Sequence, residues 1–167
     1  MAYVIQQPSA GYPQIGDVIT DGGYIVGPPL GTIVTAVNPD LGSGEFIWLA
    51  GVASTVLGSV VVYNPSDYST VLADADDVGP IATAMGATVA STKGWYQISG
   101  KGVAKVLASF ADNADCYLTA TAGSIDDADV AGDYIRGMKG ASAIDTPATG
   151  LAYVEMWRPS VADGKDN

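Results

Sequence analysis

Residues 94–107 read Gly94-Trp95-Tyr96-Gln97-Ile98-Ser99-Gly100-Lys101-Gly102-Val103-Ala104-Lys105-Val106-Leu107. Two β-like runs flank a glycine-rich centre at residues 99–102, and this pattern predicts a hairpin. Similar short runs follow at residues 116–121, 134–138 and 151–157, separated by stretches rich in glycine and aspartate. Short strands with polar turns at this spacing predict an all-β fold, a compact β-barrel or sandwich.

The strand pattern extends into the first half of the chain. Strands are predicted over residues 32–37, 45–49, 55–57 and 60–63. The last of these runs is apolar without alternation, which predicts a strand that is buried on both faces. At most one short helix is expected, within residues 74–92, where Ile81 and Met85 recur at helical spacing.

Alternating side chains of neighbouring strands should share one face of a sheet. We therefore expect Trp95, Tyr117, Val154 and Met156 to belong to the core of one C-terminal barrel or sandwich. Cys116 is the only cysteine and lies in a strand-like run. It is predicted to be a buried strand residue rather than a reactive thiol, because no histidine is present to act as its base.

The chain contains no histidine. This excludes Ser-His-Asp and Cys-His nucleophilic sites and the usual zinc sites. The glycine-rich pieces at residues 27–31 and 100–102 lack the residues of a phosphate-binding loop. Glu45 and Glu155 are the only glutamates, and nothing in the sequence places them as a catalytic carboxylate pair. Glu155 lies between Val154 and Met156, so it is expected to point outward from a half-buried strand and to pair with a nearby lysine or arginine. We expect a protein that is not an enzyme and that needs no cofactor.

Size and charge restrict the class further. A chain of 167 residues with 48% apolar content can form one well-cored domain with an added arm. No apolar run approaches the roughly 20 residues of a membrane-spanning helix, and the opening residues lack the features of a signal peptide. We expect neither a membrane partner nor export by that route. The formal net charge is −11, so nucleic acid is not an expected partner unless the few basic side chains gather on one face.

Three aspartate clusters, at residues 74–79, 112–115 and 126–133, are candidate calcium loops. None fits the EF-hand template, because the positions that should supply ligands are occupied by residues such as Val78 and Met138. Turn formation on a solvated face is the favoured interpretation. We assign no metal site, and calcium held between two loops or across a subunit boundary stays the alternative.

Residues 1–31 are rich in proline and glycine and are predicted to form an extended N-terminal arm. The arm is expected to bind a partner through separated apolar anchors, which are Val4, Ile5, Val18, Ile19, Ile25 and Val26. The alternative is that the arm wraps its own domain. A β-rich region at 32–92, a small C-terminal β-barrel at 93–160 and a polar tail at 161–167 complete the predicted division.

From the predicted hairpin onward, the chain resembles the small β-barrel domains of tailed-phage capsid decoration proteins, also called head-stabilising or cement proteins. Four pieces carry this resemblance. They are residues 94–106, the aspartate turn at 111–115, the segment Gly123-Ser124-Ile125-Asp126-Asp127-Ala128, and the closing segment Gly150-Leu151-Ala152-Tyr153-Val154-Glu155-Met156-Trp157-Arg158-Pro159. The resemblance covers about the last 75 residues.

The resemblance implies a structural virion protein that binds the outer surface of a bacteriophage head. Its partner would be the major capsid protein, and a homotrimer is expected because icosahedral shells offer three-fold positions. Such a protein would be made in the host cytoplasm and incorporated into the virion. The alternatives are a tail or head-fibre component, or a carbohydrate-binding β-module that would use exposed tryptophans among Trp48, Trp95 and Trp157.

Overall fold

The computed structural model describes residues 3–5, 11–24 and 26–162. These residues contain strands and turns but no helix, so the prediction of an all-β fold is confirmed. The described strands are β1 (Val4–Ile5), β2 (Val18–Thr20), β3 (Ile33–Asn38), β4 (Gly42–Ala50), β5 (Val60–Tyr63), β6 (Thr70–Leu72), β7 (Gly79–Ala84), β8 (Thr92–Lys105), β9 (Asp115–Leu118), β10 (Ile125–Asp126), β11 (Tyr134–Gly140) and β12 (Leu151–Val161).

One antiparallel sheet contains all of these strands. Nine of them follow the order β1-β3-β4-β8-β7-β12-β11-β9-β10, and β2, β5 and β6 pair beside this path. The organising element is β8, a strand of 14 residues. Along one edge it pairs with β4, and along the other it pairs in turn with β2, β7 and β12. β5 joins the sheet through β7 and carries β6 as its outer neighbour. The predicted regions 32–92 and 93–160 thus contribute strands to the same sheet.

The central strands β4 and β8 are buried on both faces. Phe46, Trp48 and Trp95 face one hydrophobic cluster, which the N-terminal segment covers with Tyr3 and other side chains. The alternate positions of the same two strands, among them Leu49, Tyr96 and Ile98, face a second cluster formed with β5 and β7. Trp48 and Trp95 are directly paired across the two strands, with their rings in an edge-to-face arrangement at 4.9 Å. This pairing anchors the middle of the sheet.

A third hydrophobic cluster lies under the C-terminal strands. It includes Val154 and Met156 of β12 and also buries Cys116. Tyr117 points to the other face of β9, where it is partly exposed and its ring lies 5.5 Å from that of Tyr134. The expectation of a single shared core is therefore wrong, because Trp95 belongs to the cluster around Trp48.

The helix predicted within residues 74–92 is wrong. Residues 79–84 form β7, whose Ile81 and Ala82 pair with β5 and whose Thr83 and Ala84 pair with β8. Backbone hydrogen bonds to two neighbouring strands outweigh a helical spacing that spans only one turn of apolar residues. The strand predicted at residues 55–57 is also wrong, because this stretch is a turn before β5. The run at residues 60–63 is a strand with three fully or nearly fully buried valines, as predicted.

The hairpin predicted at residues 99–102 is wrong, because β8 continues through this point. Gly100 has a φ of +92°, and a Cβ there would lie 2.4 Å from the carbonyl oxygen of Ser43. The close approach of β4 therefore requires glycine at this position. The buried amide of Gln97 donates from Nε2 to the carbonyl oxygens of Ser99 and Lys101, at 3.1 Å each, and this fixes the bend.

Candidate interaction surface

The outer face of the C-terminal part of the sheet carries a row of alternating charges. Strand register places Asp115 of β9 beside Lys139 of β11, Lys139 beside Glu155 of β12, and Glu155 beside Lys101 of β8. Register partners in antiparallel strands project from the same face. We call these four residues the charge row. Neighbouring charges along it are opposite, an arrangement that is favourable between adjacent strands.

An aromatic residue flanks the charge row on each side. Trp157 stands two positions beyond Glu155 on β12 and is 61% exposed. Tyr153, two positions before Glu155, lies under the Lys101 ammonium, which is 5.0 Å from the ring centroid. At the level of Trp157, β11 contains Gly137, which has a φ of +75° and carries no side chain. A Cβ at Gly137 would lie 2.9 Å from the Trp157 carbonyl oxygen, so glycine is required there.

The basic residues of this acidic chain are concentrated on this face. It carries four of the six basic residues that lie in the described part of the chain, which are Lys101, Lys105, Arg136 and Lys139. The other two form ion pairs elsewhere. Lys93 lies 2.5 Å from an Asp21 oxygen, and Arg158 donates two hydrogen bonds of 3.0 and 3.1 Å to the Glu45 carboxylate. The outer face therefore differs in charge from the rest of the surface.

The predicted anchors of the N-terminal arm fall into two groups. Ile5 is buried and Ile19 packs beside the same hydrophobic cluster as Trp95. Val18 is partly buried in β2, which pairs with β8. Val4 and Val26 are 58% and 81% exposed. Ile25 lies outside the described residues.

The described part of the arm thus divides into strands that complete the sheet and exposed apolar side chains. Tyr24 lies in the segment between β2 and β3 and is fully exposed. With Val26 it forms what we call the exposed tip. Among the predicted anchors, Ile5, Val18 and Ile19 pack within the sheet. Val4 and Val26 are exposed and accessible to a partner.

Aspartates of the candidate calcium loops accept hydrogen bonds from backbone amides in the structure. Asp77 accepts a hydrogen bond of 2.9 Å from the Asp74 amide, and Asp127 accepts one of 2.9 Å from the amide of Ala111. Asp133 is buried and accepts a hydrogen bond of 2.8 Å from the amide of Asp76. Within residues 3–5, 11–24 and 26–162, no three acidic or cysteine side chains are grouped closely enough to hold a metal ion. The Asp74–Asp77 contact is that of a turn. The other two contacts join segments that are distant in sequence.

Cys116 is fully buried between strand residues, as predicted. Burial raises the pKa of its thiol from the ordinary 9.0 to about 12, and the nearby Asp115 carboxylate contributes to the same direction. The neutral thiol is therefore the form present at physiological pH. A group in this state is a poor nucleophile.

The aromatic side chains do not form one exposed patch. Tyr3 and Tyr153 line a cavity of about 400 Å³ that also contacts Asp40, and burial raises the pKa of Tyr3. The Tyr3 hydroxyl donates a hydrogen bond to the Lys101 carbonyl oxygen. Tyr12 packs near Trp95. Tyr63 and Tyr68 pack beside the cluster formed with β5 and β7.

The charge row was not predicted from the sequence. Glu155 was expected to point outward and to pair with a nearby basic residue. It is exposed, and the register places it beside Lys101 and Lys139. The structure contains no ion pair between Glu155 and either of these described lysines. The two lysines come from strands on either side of β12, so only the strand order brings them together.

No protein-family model matches this sequence, and a comparison with curated proteins finds no match. Among the described residues there is also no helix that could cross a bilayer.

Proposed function

We propose that this chain is a structural virion protein, a capsid decoration or cement protein that binds the outer surface of a bacteriophage head. In this proposal its partner is the major capsid protein, it acts as a homotrimer without catalysis, and it is made in the host cytoplasm before it joins the particle. The observation that carries the proposal is the exposed tip. Tyr24 and Val26 are the two most exposed large apolar side chains of the described residues.

Exposed apolar side chains on an extended segment are suited to fill pockets on a neighbouring protein. The segment leaves β2 at Thr20 and returns to the sheet at Ile33, so both of its ends are fixed by strands. Fixing the ends lowers the entropy cost of ordering the tip when it binds. Pro28 and Pro29 follow the tip after Gly27 and restrict the backbone of this segment. The acidic surface suits the outside of a particle better than an interior filled with nucleic acid.

Binding to undecorated heads tests the proposal. Purified protein is mixed with shells that lack their decoration protein, the shells are pelleted, and bound chain is quantified before imaging by cryo-electron microscopy. Val26→Ser should weaken binding about tenfold, because a buried apolar side chain contributes about 1.5 kcal/mol or more. Tyr24→Ser should weaken it further.

Val78→Ser provides a matched control, since Val78 is 55% exposed in a different part of the chain. It should bind like the unmodified protein. Absence of added density on the shells, or equal losses for Val26→Ser and Val78→Ser, would refute the proposed role of the tip. Density on tails or fibres instead of the shell would support the alternative assignment to a tail or head-fibre component.

A carbohydrate-binding module is a second candidate because Trp157 is exposed beside a shallow groove formed with Lys101 and Glu155. Aromatic faces stack on sugar rings, and charged side chains bond to sugar hydroxyls. Trp48 and Trp95 are buried and cannot take part. A glycan array probed with the intact protein and with Trp157→Ala distinguishes this function, which requires a signal that the substitution removes.

A further inference from the structure

The signs of the charges alternate along the charge row. Its signs run negative, positive, negative, positive across β9, β11, β12 and β8. When the order of such a row is reversed and laid against the original, every charge lies opposite a charge of the other sign. A two-fold interface places the same patch of two copies face to face and reverses such a row.

Only one orientation of the two-fold axis satisfies the charges. An axis parallel to the strands, between β11 and β12, brings Asp115 opposite the partner's Lys101 and Lys139 opposite the partner's Glu155. An axis that runs across the strands would superimpose the row on itself and bring like charges together. Like charges in direct opposition are destabilising. The geometry thus selects a single arrangement.

The aromatic and glycine positions fit the same arrangement. Rotation about the axis parallel to the strands leaves each residue at the same height along the strands. It places β12 of one copy opposite β11 of the other. Trp157 of one copy therefore faces the level of the second copy's Gly137, which contributes no side chain of its own. Arg136 lies next to this position and is exposed. A tryptophan received over a glycine and beside an arginine gives apolar contact and a cation–π partner.

We infer that the outer face of β8, β12, β11 and β9 is a self-association surface that binds a second copy of this chain about a two-fold axis. A nucleic acid suits this face less well, because Asp115 and Glu155 would meet its phosphates. The contact closes with two copies, so it is separate from the trimer and from binding through the exposed tip.

The contact is small. Four strands at about 4.8 Å spacing and about five residues at 3.3 Å rise cover on the order of 300 Å², below the roughly 800 Å² per partner of a standard interface. We expect a dissociation constant on the order of 0.1–1 mM in free solution. Copies held side by side on a surface would associate more readily, since their effective concentration is higher.

Charge reversal tests the inference. Sedimentation equilibrium over a dilution series of about 0.02 to 1 mM measures the association of the intact chain. Lys139→Glu places a glutamate opposite the second copy's Glu155 at both symmetry-related contacts. Glu155→Lys places a lysine opposite the second copy's Lys139 at the same contacts. Each should weaken association about tenfold or more. The double variant K139E/E155K restores opposite charges at every pair and should recover association to within about threefold.

Lys93→Glu is the matched control, because it changes the net charge by the same amount as Lys139→Glu and lies away from the outer face. A monomer throughout the series would overturn the inference. So would equal weakening by Lys139→Glu and Lys93→Glu, or a folded double variant that does not recover.

Cross-linking gives an independent measurement that needs no charge reversal. Asp115→Cys and Lys101→Cys chains are mixed and treated with a bis-maleimide of about 10 Å reach. Opposed sheets are about 10 Å apart, so the two positions meet across the axis, whereas the two copies of Lys101 would be about 17 Å apart. The mixed dimer should form and the Lys101→Cys homodimer should not. The reverse result would overturn the inference. Buried Cys116 does not compete for the reagent.

Discussion

Replacing Trp95 with alanine removes the side chain that joins the N-terminal segment to the centre of the sheet. The indole is 1% exposed and packs edge-to-face on Trp48. Its Nε1 donates a buried hydrogen bond of 3.0 Å to the Pro13 carbonyl oxygen. The substitution therefore opens a cavity and leaves that carbonyl without its donor.

The expected cost follows from these two losses. A large-to-small change at a buried tryptophan costs about 3 to 5 kcal/mol, and a buried carbonyl without a donor adds about 1 kcal/mol. A total of about 4 to 6 kcal/mol is a large share of the 5 to 15 kcal/mol that stabilises a typical domain. For a chain of this length it corresponds to a fall of about 10 to 20 °C in the melting temperature.

Urea unfolding followed by circular dichroism measures this cost. Trp157→Ala is the matched control, because the same substitution at a side chain that is 61% exposed should cost less than about 1 kcal/mol. Equal midpoints for Trp95→Ala and the unmodified chain would show that the register of β4 and β8 is wrong. A loss at Trp157 as large as that at Trp95 would refute the assignment of inner and outer faces.

Two further stability measurements test other features. Because the pKa of Cys116 is raised from 9.0 to about 12, its contribution to stability is complete below pH 9 and is lost as the pH rises toward 12. Cys116→Ala should flatten this alkaline decline in urea titrations, and an unchanged slope would contradict the assignment. Gly100→Ala should cost about 2 to 4 kcal/mol, because its Cβ would meet the Ser43 carbonyl at 2.4 Å. Gly150→Ala has a similar positive φ in open space and should cost only about 1 kcal/mol, so equal losses would argue against the close approach.

Local patterns were sufficient to predict the class of fold and several strands. The apolar run at residues 60–63 and the closing strand could be recognised because burial and alternation are written directly into consecutive residues. β12 continues to Val161, beyond the Arg158-Pro159 stop that the sequence suggested. Proline is tolerated there because its missing donor costs nothing where no partner strand requires it.

The errors arose where distant pairing decides the conformation. The Gly100-Lys101-Gly102 sequence has the composition of a turn, but β4 and β12 hold it within one long strand. Residues 79–84 form a strand rather than a helix because they pair with the distant strands β5 and β8. Proline and glycine in the first 31 residues predicted an extended arm, but they could not reveal that its described pieces β1 and β2 pair with β3 and β8.

The candidate surface could be predicted only in part. The outward position of Glu155 was accessible from the alternation of its own strand. The complete charge row could not be predicted, because its four residues come from four strands and only the order of those strands brings them together. The exposure of Tyr24 and Val26 likewise depends on where the neighbouring segments pack, which composition does not specify.

The position of β8 between β4 and β12 also determines when the chain can fold. Each of these partners lies about 50 residues from β8 in sequence, and such non-local pairing slows folding because long loops must close first. During synthesis β8 emerges with only β2, β4 and β7 available. Its C-terminal half, with its unpaired edge, must wait for β12. Until then this edge is open to pairing with other chains, so the newly made protein is most vulnerable to aggregation just before its last strand is added.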